Sequence, residues 1–128
     1  MIFPYLEIAP TVFRPVITVL LKNNNKFVLY PALVDSGSDY CVFSIELARN
    51  LDIKLLPKKT NLIGIGHETV KGYWGKVEIN INHATYDLKA VFAEMSEFGH
   101  GILGQKGFFD NFKVCFDKSR NKIEINPK

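Results

Sequence analysis

Apolar and polar residues alternate with a period of two along most of the chain, in short runs separated by turn residues. "PVITVLLK" (15–22) and "KFVLYPALV" (26–34) flank three asparagines, a pattern that predicts a β-hairpin whose second arm delivers Asp35. "KVEININ" and "ATYDLKAVFA" form a second such pair around Asn82-His83. "FKVCFD" and "NKIEINP" form a third across "KSRN". Helical spacing appears in "FSIELARNLDI" (43–53), where Ser44 suits the N-cap, Glu46 the first turn, and Ile45, Leu47 and Leu51 one face. "QKGFFDNF" (105–112) reads as a second short helix. Between the first helix and the second hairpin, Gly64, Gly66, Gly72 and Gly75 interrupt β-type sequence, which predicts a projecting hairpin able to bend. The expected fold class is mostly β, with one or two short helices and no repeat, linker or low-complexity tract in residues 1–128, taken as a single domain.

Composition narrows the picture. The chain has 128 residues, 47% hydrophobic and 23% charged, enough to bury a core. Its formal net charge of +3 comes from scattered basic residues, which argues against a nucleic-acid partner. Cys41 and Cys115 lie far apart, with no metal-ligand spacing, and read as free thiols in a reducing compartment. The opening "MIFPYLEIAP" lacks a basic, then apolar, leader pattern, and "VITVLL" is too short to cross a bilayer. A cytoplasmic protein without membrane association is expected. His67, His83 and His100 are widely spaced, so neither a metal site nor a cofactor is expected.

The candidate chemistry sits in "ALVDSGSDYCVF" (32–43), where an apolar strand ends on an acid followed by Ser36, Gly37 and Ser38. Alone, Asp-Ser-Gly is ordinary turn sequence. Here it follows a buried strand, leads into a helix, and is answered far along the chain by Ile102-Leu103-Gly104. The glycine-rich hairpin lies between the two.

These features resemble the retropepsin-like aspartic proteases, the retroviral proteases and their single-domain relatives. "LVDSGS" (33–38) stands where that family has two hydrophobic residues, Asp, Thr or Ser, Gly, and Ser or Ala. "GILG" (101–104) matches the family's hydrophobic-hydrophobic-glycine element, and "LIGIGHETVKGYWGKV" (62–77) falls at the place of its flap. "FFDNFKVCFD" (108–117) is similar to its closing helix and strand. Ser36 replaces the commoner Thr and keeps the hydroxyl.

The resemblance implies a small closed β-barrel with a flap and an aspartic-type endopeptidase needing no cofactor. Asp35 is then the catalytic acid, supported by Ser36, Gly37 and Ser38, with Gly64, Ile65, Gly66 and His67 over the substrate. Ser38 is expected to donate a hydrogen bond to the Asp35 carboxylate, and Ser36 to reach a partner's loop. Two carboxylates sharing one proton can divide the general-base and general-acid roles of peptide hydrolysis. One chain carries a single Asp-Ser-Gly, so a homodimer must complete the site. The terminal segments Ile2 to Ile8 and Lys122 to Asn126 are candidates for the dimer contact. The competing expectation is a catalytically inactive relative serving as a dimerisation or peptide-binding module. Asp39 reads as a capping or salt-bridging residue of the following helix, and Tyr73 and Trp74 as packing at the flap's base.

Overall fold

A computed structural model describes residues 1–57, 59–63, 69–94 and 99–128. Strands come first: β1 (Ile2–Pro4), β2 (Leu6–Ala9), β3 (Val12–Arg14), β4 (Val16–Asn23), β5 (Lys26–Val34) and β6 (Val42–Ser44). The helix α1 (Ile45–Asn50) follows, then β7 (Lys59–Ile63), β8 (Thr69–Ile81), β9 (Ala84–Ala93) and β10 (Gly101–Leu103). The chain ends with β11 (Phe112–Asp117), a 3-10 turn at Lys118–Arg120, and β12 (Lys122–Pro127).

Six strands close into a barrel in the order β4-β5-β10-β6-β9-β8, and β8 returns to pair with β4. Closure runs through Leu20↔Asn80, Leu21↔Ile79 and Lys22↔Glu78. A closed ring leaves few exposed strand edges. β7 adds to β8 outside the ring, and β1, β12 and β11 form a separate three-stranded sheet. The sequence's three hairpins all form. Their turns use Asn24, the Asn82-His83 pair and Asn121, each with positive φ, a conformation asparagine tolerates better than most residues.

The period-two pattern becomes burial. β4 turns Val19 and Leu21 inward with Ile79, Ile81, Leu88, Phe43 and Phe92, while Ile123 and Ile125 of β12 seal the same core. The last four residues of β9, Ala90 to Ala93, are buried on both faces. Ala90 and Phe92 face the main core, whereas Val91 and Ala93 join Val42 in a second cluster, against which Tyr40, Leu62, Trp74 and Ile102 pack. That outer cluster lies beside the loop that carries Asp35.

The first expected helix forms over fewer residues than its pattern suggested. Ser44 caps it by accepting from the Glu46 N–H at 3.3 Å. The second does not form; residues 107–111 are consecutive turns. Gly107 has φ of +92°, incompatible with a right-handed helix, and a Cβ there would lie 2.3 Å from Leu88. The turns instead place Phe108 in the core, stacked on Phe112 with ring centroids 5.1 Å apart. Among the described residues no helix is long and apolar enough to cross a membrane.

Candidate active site

β5 buries Ala32 and Val34, so alternation turns Leu33 and Asp35 to the outside of the barrel wall. β10 runs parallel to the end of β5, matching Ile102 with Leu33 and Leu103 with Val34. It also pairs antiparallel with β6 through Ile102↔Val42. The short glycine-ended strand therefore threads between the two arms of the loop 35–41.

Hydrogen bonds lock this arrangement. The Asp35 N–H donates to the Leu103 carbonyl at 2.9 Å. The Gln105 and Lys106 N–H groups donate to the carbonyls of Ser38 and Asp39 at 2.8 and 2.9 Å. The Gln105 side-chain amide donates to the Ser36 carbonyl at 2.6 Å. Gly104 makes the approach possible, since a Cβ there would meet the Tyr40 and Ser38 carbonyl oxygens at 2.2 and 2.6 Å. The two sequence motifs, Asp35 to Ser38 and Ile102 to Gly104, are one structural unit.

At the loop's tip, one carboxylate oxygen of Asp35 accepts from the Gly37 N–H at 2.9 Å, an Asx-type turn that orients the side chain. Asp35 is half-buried and takes part in none of the ion pairs among the described residues. Ser36 and Gly37 are exposed beside it.

Two expectations change here. The Ser38 hydroxyl donates to the Tyr40 carbonyl at 2.8 Å rather than to the Asp35 carboxylate, because the tight turn brings its own backbone closer. Asp39 neither caps α1, where Ser44 does so, nor enters an ion pair among the described residues.

Cys41 lies under the loop, donating to the Lys106 carbonyl and accepting from the Gly104 N–H, both at 3.4 Å. Burial pushes its thiol up to about 11. Such a thiol serves as packing and is a poor nucleophile.

The expected hairpin stands beyond the barrel wall, its arms paired from Lys59↔Tyr73 to Ile63↔Thr69. Gly64, Ile65, Gly66 and His67, assigned to its tip, lie outside the described residues. At its root Trp74 meets Tyr40 edge to face at 5.0 Å, which bears out Trp74 as a packing residue. Gly72 permits this root to sit close, since a Cβ would fall 2.3 Å from Val91. His83 occupies a turn, and His100 Nδ1 lies 2.9 Å from the Gly101 carbonyl oxygen. Tyr40 and Gln105 were not among the sequence's candidates, although each adjoins a recognised motif.

A family model described as aspartyl protease matches residues 17–106, a span holding the whole Asp35 loop, the hairpin and β10. The chain belongs to this family. Solved structures place the aspartyl protease fold in its retropepsin-like form. A retropepsin-like aspartic protease from Rickettsia conorii is 18% identical with a TM-score of 0.65, over 99% of this chain and 89% of that one. The EIAV protease, solved with the inhibitor HBY-793, is 22% identical with a TM-score of 0.58, over 76% of this chain and 86% of that one. No curated protein matches the chain. At these identities the solved structures establish the closed barrel, and the family match supplies the aspartyl protease membership.

Proposed function

We propose that this aspartyl protease is a homodimeric endopeptidase of the cytoplasm, with one Asp35 from each subunit forming its catalytic pair. The observation that carries the reading is the Asp35 loop itself. It is fixed from beneath by Leu103, Gln105 and Lys106, presents a half-buried carboxylate, and carries exposed Ser36 and Gly37 beside it. Small residues beside a single held acid leave room for the same loop of a second copy across a two-fold axis.

In the pair, one carboxyl stays protonated and the other ionised, since two like charges in contact cannot both persist. The ionised group takes a proton from water as that water attacks the scissile carbonyl. The protonated group supplies a hydrogen bond to the carbonyl oxygen, and a proton passes to the amide nitrogen as the C–N bond breaks. In this reading the β7–β8 hairpin is the flap, with Gly64, Ile65, Gly66 and His67 closing over the peptide and pairing with its backbone. The two unpaired cysteines suit a reducing compartment.

Digestion of a peptide library from mildly acidic to neutral pH tests the proposal. Wild type is expected to cleave, and Asp35→Asn to lose cleavage while keeping its fold and dimer mass. Undiminished cleavage by the variant refutes the assignment, and loss of its fold makes Asp35 a structural residue.

A further inference from the structure

Lys89 and Lys106 are exposed beside the outer cluster, and neither joins any of the three ion pairs among the described residues. Each is seated on an aromatic ring of that cluster. Lys106 Nζ lies 5.5 Å from the Tyr40 ring centroid, and Lys89 Nζ lies 5.2 Å from that of Trp74. Such seats fix an ammonium group in place without neutralising it.

Strand registers relate these cations to Asp35. Leu33, Ile102, Val42, Val91 and Trp74 form one outward row across five neighbouring strands. Carried one alternation past the strand ends, the same registers lead from Asp35 through Gly104 and Tyr40 to Lys89. With strands spaced by about 4.8 Å, Tyr40 stands roughly 10 Å from Asp35 and Lys89 roughly 14 Å. An extended peptide advances about 3.4 Å per residue, so these distances equal three to four residues from the bond over Asp35. Alongside runs the outer cluster, where half-buried Ile102, Tyr40 and Trp74 cover buried Val42 and Val91 and give that side an apolar surface.

Lys76 pairs directly opposite Lys89, while the acidic pair Glu78 and Asp87 sits one row farther from Asp35. The end of the row far from Asp35 thus carries two facing lysines.

We propose that Lys106 and Lys89 form a selecting rim for an acidic side chain three to four residues from the cleaved bond, with apolar residues between. This deepens the endopeptidase reading and rests on it. In a two-fold dimer the rim recurs on both sides of the bond.

The test uses the full chain and peptides with fixed apolar residues at the cut, carrying Glu, Gln or Lys at the third and fourth positions on either side. Measured near pH 6, kcat/KM is expected to favour Glu over Gln by about 1.5- to fivefold, the range an exposed ion pair provides. The preference should shrink as salt is raised. Replacing Lys89 and Lys106 together by Met, which keeps the apolar stems, should bring the Glu-to-Gln ratio to about one, while Glu at both positions should turn the preference toward Lys peptides. Equal rates for Glu, Gln and Lys peptides, with cleavage still dependent on Asp35, overturn the rim and leave the protease reading standing. A ratio unchanged in the Met variant also overturns the rim. Cleavage of no peptide by wild type overturns both.

Discussion

The amide of Asp35 donates to the carbonyl of Leu103 at 2.9 Å, so the loop that ends β5 and the strand that ends in Gly104 hold each other in place. Residues 68 positions apart in the chain therefore act as a single support, and damage to either half should reach the carboxylate.

Gly104→Ala is the sharpest probe of that support. The added methyl would lie 2.2 Å from the Tyr40 oxygen and 2.6 Å from the Ser38 oxygen, both backbone atoms held by other bonds. A loss of about 3 kcal/mol or more in unfolding free energy is expected, read by urea titration. Gly37→Ala meets only the Asp35 side chain, at 3.2 Å, and should cost no more than about 1 kcal/mol. Equal stability effects at the two sites would mean that the loop does not rest on Gly104.

Phe108 anchors the turns after the support. It is fully buried, edge to face with Phe109 at 5.2 Å and stacked on Phe112 at 5.1 Å. Phe108→Ala should lower the unfolding free energy by about 3–5 kcal/mol. A change under about 1 kcal/mol would show that the segment packs differently.

Cys41 gives a pH signature. Its thiol rises in the folded protein from 9.0 to about 11, so the folded chain holds a proton that the unfolded chain releases. Stability from this group is complete below pH 9 and is lost as pH rises toward 11, by about 2–3 kcal/mol. Burial also raises Tyr86, which extends the loss to higher pH. Urea midpoints measured up to pH 11 should fall, and fall less in Cys41→Ala. A thiol reagent should label exposed Cys115 in the native protein and reach Cys41 only after unfolding. Rapid native labelling of both would contradict the packing.

Local chemistry explains what could be read in advance. Alternation specified the three hairpins because one face of each strand meets the core, and asparagine marked turns that need positive φ. Ser44 announced its helix because a hydroxyl at that position satisfies an N–H the helix cannot. The segment 105–112 misled because Phe108, Phe109 and Phe112 have helical spacing, while Gly107 breaks the backbone and tertiary burial decides the rest. Ser38 was aimed at the carboxylate by resemblance, but its closest acceptor within the chain is the Tyr40 carbonyl. Tyr40 and Gln105 escaped notice because their roles depend on registers between strands that no local pattern encodes. The acid and its glycine-ended counterpart were legible because each needs rare residues at fixed places.

The most direct test of the central claim mixes wild type with Asp35→Asn at fixed total concentration, above the dimer dissociation constant, and measures peptide cleavage. If each site takes one Asp35 from each of two chains, only wild-type pairs are active, and an equal mixture retains about a quarter of full activity. Retention of about half, a simple dilution, would contradict the shared site.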